Sequence, residues 1–171
     1  MLPVVLTIAG SDPSGGAGIQ ADQRAIEKAG ASARSVVTAI TAQTREGVRS
    51  WEAVSLSTLE AQLDAALDDG AVLAIKSGMI PSPGAARVVG AALRRHGVRR
   101  YVCDPVLASS AGVALAAPGT TDEMREALFS IATVLTPNAR EAEVLSGRTI
   151  ATIEDASAAG HVLLGSARAP C

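Results

Sequence analysis

Aromatic residues are almost missing from this 171-residue sequence, which has one Trp, one Tyr and one Phe, at Trp51, Tyr101 and Phe129. A chain of this length is large enough to bury a core as one domain, and that core has to be aliphatic. Cysteine is also scarce. Cys103 falls in a predicted strand and Cys171 is the last residue, so there is no disulfide framework. No His/Cys grouping has the spacing of a zinc site. The 15 basic and 17 acidic residues leave a formal charge of -2, without the basic excess that marks a nucleic-acid groove. No apolar run approaches the ~18 residues of a membrane helix. The opening Met1-Leu2-Pro3-Val4-Val5 has no basic region, and Asp12 comes too early for a secretory signal. These absences predict a soluble cytoplasmic protein with no membrane and no nucleic-acid partner.

What is present is concentrated in one stretch. Ala9-Gly10-Ser11-Asp12-Pro13-Ser14-Gly15-Gly16-Ala17-Gly18-Ile19-Gln20-Ala21-Asp22 follows an apolar run and leads into a helix-like segment that ends before Gly30. Its glycines allow positive φ and a close approach of bare backbone N–H groups to a ligand. The start of the following helix adds unpaired N–H groups and partial positive charge. A polar or anionic ligand is expected there. The stretch has no Gly-Lys-Ser/Thr, so it is not a P-loop. Gly16-Ala17-Gly18-Ile19-Gln20-Ala21 does fit G-x-G-x-x-G/A, the dinucleotide fingerprint. The acidic residue expected about 20 positions later is absent from Val36-Val37-Thr38-Ala39-Ile40-Thr41, and Glu46 comes late. A dinucleotide-binding domain is therefore a weak alternative.

Read in order, the chain alternates short apolar runs with helical patterns. Strands are predicted over residues 4–8, 35–39, 72–76, 99–104 and 134–136, with a short extra strand over 48–54. Helices are predicted over 19–29, from a capping box at Ser57-Thr58-Leu59-Glu60 to Gly70, and from Ser82-Pro83 to Gly97. Three more follow: one capped by Asp122 and running through Leu128, one after Asn138, and one opened by Thr152-Ile153-Glu154-Asp155. Residues 43–47 read as a polar loop and 105–120 as another. His96, just before Gly97 at a helix end, complements the helix dipole. The fold class that follows is α/β, a mostly parallel sheet with helices on both faces and ligands beyond the C-terminal ends of the strands.

The string Thr7-Ile8-Ala9-Gly10-Ser11-Asp12-Pro13-Ser14-Gly15-Gly16-Ala17-Gly18-Ile19-Gln20-Ala21-Asp22 resembles the N-terminal signature of the hydroxymethylpyrimidine/phosphomethylpyrimidine kinases, ribokinase-like enzymes of thiamine biosynthesis. Thr38-Ala39-Ile40-Thr41-Ala42-Gln43-Thr44, Lys76-Ser77-Gly78-Met79, Cys103-Asp104-Pro105-Val106 and Thr136-Pro137-Asn138-Ala139-Arg140-Glu141-Ala142 continue the resemblance in family order. It implies a three-layer, doubly wound ribokinase-like domain. The implied activity is phosphorylation of 4-amino-5-hydroxymethyl-2-methylpyrimidine and its monophosphate by MgATP. A catalytically silent pyrimidine-binding module is the alternative.

By that resemblance Asp22 holds the pyrimidine through a hydrogen bond. Gln43 offers an amide donor and acceptor to the ring edge and its exocyclic amine. Gly10, Met79 and Val106 pack around the ring. Asp104, Asn138 and Glu141 form the nucleotide and magnesium region, with Asp104 and Glu141 placing Mg²⁺ mostly through water. From the residues alone, Asn138 could equally cap a helix and Glu141 favour its first turn, and Lys76 reads as an ordinary strand-end charge.

The sequence departs from the family pattern in two respects. Ser77 stands where an apolar residue is usual. The family's C-terminal Gly-Thr-Gly-Cys block, which supplies its anion hole and proton acceptor, and the Lys-Gly-Gly-His block before it have no counterpart in these 171 residues. Cys171 is no substitute, because no glycine turn or following helix accompanies it. The expectation is a single truncated domain over 1–171, the N-terminal two-thirds of a kinase, whose sheet lacks its C-terminal strands and helices. Such a chain is expected to pair with itself or with a partner chain.

Overall fold

A computed structural model describes residues 2–44, 46–109 and 112–167, with side chains followed to residue 165. Arg45, in the predicted polar loop, and Cys171 lie outside the described residues. Within them the elements run β1 Val4–Ser11, α1 Gly18–Lys28, β2 Ser32–Thr44, β3 Gly47–Ala53, α2 Leu56–Leu67, β4 Val72–Ser77 and α3 Pro83–Arg95. The second half continues with β5 Tyr101–Cys103, α4 Thr120–Ala127, a 3-10 turn at Phe129–Ile131, β6 Val134–Leu135, α5 Ala139–Ser146 and α6 Ile153–Ala167.

The strands form one sheet in the order β3-β2-β1-β4-β5-β6. Every neighbouring pair is parallel except β2 with β3, an antiparallel hairpin. The chain moves outward from β1 through β2 to β3, then crosses to the far side of β1 for the rest. The reversal between β1 and β4 is a topological switch point, where a crevice opens at the strand ends.

Strand alternation assigns the two faces of the sheet. Leu6, Ile8, Val36, Ile75, Tyr101 and Cys103 point to one face and are buried. They pack against Leu59, Leu63 and Leu67 of α2, Val89 and Leu93 of α3, Met124 of α4, Leu145 of α5 and Leu163 of α6. Residues of opposite parity, Thr7, Ser35, Lys76 and Val102, share the other face by register. Helix α1 lies there: its Asp22 accepts from Thr7, and its Gln23 donates to Ser35. Helices therefore cover both faces, as expected for this α/β class. The core is aliphatic except for Tyr101 and Phe129, both fully buried within it.

Local chemistry sets most element ends. Ser82 caps α3 by accepting from the Ala85 N–H, with Pro83 in its first turn. Asn138 and Glu141 form a reciprocal capping box at α5, and Thr152 and Asp155 do the same ahead of α6. Three expectations need correction. Helix α2 is capped by Ser55, which accepts from Thr58 N–H, rather than by a box starting at Ser57. Helix α4 begins after Gly119 at φ 79°, so Asp122 sits in its first turn and does not cap it. Strand β2 is 13 residues long, because its second half pairs with β3 from Ala39↔Ala53 to Thr44↔Gly47. Gln43 and Thr44 are thus strand residues, placed by tertiary pairing, and not part of a loop.

Candidate functional site

The glycine-rich stretch joins β1 to α1 and is organised around Asp12, only 2% exposed. One Asp12 carboxylate oxygen accepts from Ser14 N–H at 2.8 Å. The other accepts from Ala17 N–H at 2.8 Å and from the Ser14 hydroxyl at 2.9 Å. Gly15 N–H donates to the Asp12 carbonyl and Gly16 N–H to the Ser14 hydroxyl. Burial pushes the Asp12 carboxyl upward, but the hydrogen bonds from Ser14, Ala17 and Gly16 outweigh it and hold the group below its ordinary value. The Asp12 carboxylate thus takes up two N–H groups of the turn itself, those of Ser14 and Ala17.

What the turn does is shape a wall. Gly18 takes φ +58°, and a side chain there would collide with the Gly10 carbonyl oxygen. Gly10 in turn is packed so closely on Met79 that an added Cβ would lie 2.9 Å from the Met79 sulfur. Gln20 accepts from Asp12 N–H and donates to the Ser11 hydroxyl, tying α1 to the end of β1.

A cavity of about 280 Å³ opens at the switch point, lined in part by Gly10, Asp22, Gln43, Met79, Asp104 and Val106. Asn138 and Glu141 instead line a neighbouring cavity of about 320 Å³ with Arg140 and Val144. Ala108 and Ser109 border both cavities. The eight residues singled out from sequence thus divide six and two between these adjoining cavities.

Asp22 projects from α1 under the cavity. One of its oxygens accepts from the Thr7 hydroxyl at 2.6 Å, and Lys76 Nζ reaches both oxygens, at 3.1 and 3.2 Å. The same ammonium pairs with Asp104 at 3.2 Å. The side chains of Asp22, Lys76 and Asp104 are 20%, 27% and 29% exposed, so the group is half-buried. Gln43 ends β2 with its side-chain oxygen 3.4 Å from the Thr41 hydroxyl, which also donates to the Ser11 carbonyl. Thr38 donates to the Met79 carbonyl at 2.7 Å and fixes the turn after β4. Beside the cavity, Met79 packs with Ala39, Val48 and Leu115 in a small apolar cluster that Trp51 and Val106 also touch. Trp51 Nε1–H donates to the Ala114 carbonyl, joining the β2–β3 hairpin to the loop after β5.

In the second cavity both candidates are engaged in the capping box. Glu141 accepts from Asn138 N–H at 2.9 Å, and Asn138 accepts from Glu141 N–H at 3.0 Å. Glu141 is 6% exposed. Burial pushes its carboxyl above the ordinary range and the nearby Asp104 charge adds to that, while the Asn138 N–H bond pulls the other way. Among the described residues, no group of three or more His, Cys, Asp or Glu side chains gathers to hold a metal.

Sequence reasoning passed over Lys76, Thr7 and Asp12. The signal for Asp12 was present in Asp12-Pro13-Ser14, the spacing of an Asx turn. For Lys76 it was parity, since Lys76 aligns with Thr7 across the sheet. Ser77, noted as a departure, has a structural partner: its hydroxyl lies 2.6 Å from the Tyr101 hydroxyl, both buried. Burial pushes the Tyr101 hydroxyl and the adjacent Cys103 thiol well away from ionisation. His96 caps the C-terminus of α3, with its Nε2 buried and 3.7 Å from Asp64.

The profile of the phosphomethylpyrimidine kinase family matches residues 12–169. A hydroxymethylpyrimidine/phosphomethylpyrimidine kinase of Rhizobium meliloti (strain 1021) is 43% identical over 151 residues, 88% of this chain and 56% of that protein. The chain spans 59% of the length of the corresponding kinase of Mycobacterium bovis and 28% of a probable thiamine biosynthetic bifunctional enzyme of Oryza sativa. Its fold superposes on a crystal structure of phosphomethylpyrimidine kinase from Clostridium difficile 630 with a TM-score of 0.87 and 36% identity, covering 95% of this chain and 71% of that one. A pyridoxal kinase from Staphylococcus aureus in complex with AMP-PCP and pyridoxal aligns at a TM-score of 0.85 and 33% identity, over 97% of this chain and 59% of that one. Fold, motif order and sequence agree over nearly all of the described chain, which belongs to the phosphomethylpyrimidine kinase family.

Proposed function

We propose that the cavity at the β1–β4 switch point binds 4-amino-5-hydroxymethyl-2-methylpyrimidine and its monophosphate, for phosphorylation by MgATP in thiamine biosynthesis. The observation that carries this reading is the meeting of Asp22 and Gln43 with Gly10 and Met79 in one small cavity. At about 280 Å³ it lies just under the ~300 Å³ lower bound of common ligand pockets and suits a single ring. The Gln43 amide donates to and accepts from the pyrimidine edge, and the Asp22 carboxylate accepts one further hydrogen bond. Gly10 and Met79, packed directly on each other, form one wall of the cavity against which the ring lies. The cluster of Val48, Leu115, Val106 and Trp51 limits water at that end.

The curated relatives are named as kinases of this substrate pair, and the Staphylococcus aureus neighbour holds an ATP analogue. In this chain ATP would lie toward the second cavity, near Asn138 and Glu141. Two carboxylates, Asp104 and Glu141, suit a magnesium ion held chiefly by water and phosphate. Such an ion offsets charge on the transferring phosphoryl group. Asp104 stays anchored to Lys76, and Glu141 holds the first turn of α5. The family's anion hole belongs to the Gly-Thr-Gly-Cys block, which these 171 residues do not include. Pyrimidine binding is the part of the function that these residues carry themselves.

Calorimetric titration of the pyrimidine, followed by a coupled kinase assay with MgATP, tests the reading. The expected result is one site per chain, with affinity lost in Gln43→Ala at unchanged melting temperature. A folded chain that takes up no pyrimidine would overturn it.

A further inference from the structure

Lys76 is the one cation placed between the two carboxylates of the substrate cavity, and no role follows for it from the proposed chemistry. Its ammonium has three donors and no acceptor. Two N–H contacts go to the two oxygens of Asp22, and the Asp104 carboxylate lies 3.2 Å away as an ion pair. Lys76 lines the cavity as well, and its nearest partners there are these two carboxylates. Asp22 accepts from Lys76 and Thr7 and retains lone pairs toward the cavity, since a carboxylate offers about four acceptor sites.

A second, independent observation concerns Gly78. A Cβ at Gly78 would stand 3.0 Å from Lys76 Nζ and 3.2 Å from the Ala9 Cβ. The chain is thus bare of side chain beside the path of the ammonium. The charged and titratable groups facing Lys76 are Asp22 from α1 and Asp104 from the segment after β5. Glu141 of α5 stands behind Asp104, and Cys103 lies on the opposite sheet face.

We propose that Lys76 is a positioning residue for pyrimidine recognition: anchored by Asp104 and given room by Gly78, it holds the Asp22 carboxylate at the angle from which it accepts the substrate's hydrogen bond. This rests on the pyrimidine reading above. It makes Lys76 a determinant of affinity that acts through Asp22. It also links the carboxylate of the substrate side to the carboxylate of the proposed magnesium side through one ammonium. A fixed geometry of this kind matters because a side chain free to rotate loses most of the benefit of a charge-assisted hydrogen bond.

The test is a double-mutant cycle read by calorimetric titration of 4-amino-5-hydroxymethyl-2-methylpyrimidine into the 171-residue chain. The variants are Lys76→Met, Asp22→Asn and the pair together, each first checked by thermal melting. Lys76→Met keeps the length of the stem and removes the ammonium. It is expected to weaken binding about tenfold, the equivalent of one hydrogen bond to a charged group. Once Asp22 is replaced, adding Lys76→Met is expected to cost nothing more, since positioning a lost group has no value. A purely structural role predicts additive losses instead. Gly78→Ala keeps all three charges but crowds the ammonium, and is expected to weaken binding by a smaller factor, which serves if Lys76→Met does not fold. Wild-type affinity in either folded single variant, or additivity in the pair, overturns the inference. Absence of pyrimidine binding by the folded wild-type chain overturns the underlying reading, and is told apart because it needs no variant.

Discussion

The two faces of the central sheet have opposite characters. On one, Leu6, Ile8, Val36 and Ile75 share a buried aliphatic cluster with Leu59, Leu63, Val89 and Leu93, and the buried Ser77 and Tyr101 hydroxyls pair with each other. On the other, Thr7, Lys76 and Asp104 meet Asp22 of α1 across a web of charge and hydrogen bonds. A single strand supplies both: Leu6 and Ile8 point to the aliphatic side, and Thr7 between them points to Asp22. Burial on the first face holds the fold together. The polar contacts on the second cost more to desolvate and return less stability, but they fix the orientation of groups that can recognise a ligand. Stability and recognition are thus separable by strand parity, residue by residue.

Substitutions can break that separation if it is wrong. The largest stability loss belongs to the aliphatic face. Leu63→Ala empties a fully buried position and is expected to cost about 2–5 kcal/mol in denaturant melts, with pyrimidine affinity unchanged in the folded fraction. Ser77→Ala comes next. It strands the buried Tyr101 hydroxyl at an expected cost of about 1–3 kcal/mol, and Ser77→Ala with Tyr101→Phe should recover most of that. Asn138→Ala removes the α5 cap for about 1 kcal/mol and leaves the pyrimidine titration untouched, since Asn138 belongs to the second cavity.

Asp12 sharpens the contrast through pH. Its folded-state carboxyl lies below the ordinary value, so the folded chain binds the proton less readily than the unfolded one. Its stabilising contribution is full above the unfolded value, near 4, and is lost as pH falls through the lower folded value. Urea melts are expected to show declining stability on that acid limb, and Asp12→Asn should flatten it. Glu141 works in the opposite sense. Its raised carboxyl makes the folded chain the better proton binder, so its contribution declines as pH rises from the unfolded value through the folded one. Glu141→Gln should remove that decline above the unfolded value and leave the acid limb that Asp12 creates unchanged.

Much of this was legible in the chain where local chemistry decides. The apolar run at β1, the Ser82-Pro83 start of α3 and the Asn138…Glu141 box at α5 each announce themselves within a few residues. The cap of α2 did not, because Ser55, Ser57 and Thr58 crowd one turn and only the geometry selects Ser55. The length of β2 was hidden for a different reason. Residues 40–44 are strand by virtue of β3, and that pairing includes exposed and polar positions that carry no periodic signal.

The candidate site divides in the same way. Gly10, Asp22, Gln43, Met79, Asp104 and Val106 were picked out by motif resemblance, and the fold gathers them in one cavity. Asn138 and Glu141 were picked out equally well but line the next cavity. The Asp22–Lys76–Asp104 group was not legible, because its members come from three elements and its geometry exists only after the sheet is assembled. The glycine turn lines the cavity as well, and its internal organisation by Asp12 emerges only from the folded geometry.

The most direct measurement is calorimetric titration of 4-amino-5-hydroxymethyl-2-methylpyrimidine into the wild-type chain, Asp22→Asn and Leu63→Ala under identical conditions. Separation of the two faces predicts one site in the wild type, loss of affinity with retained stability in Asp22→Asn, and the reverse in Leu63→Ala. A folded wild-type chain that does not bind, or an Asp22→Asn chain that binds as tightly as wild type, would contradict it.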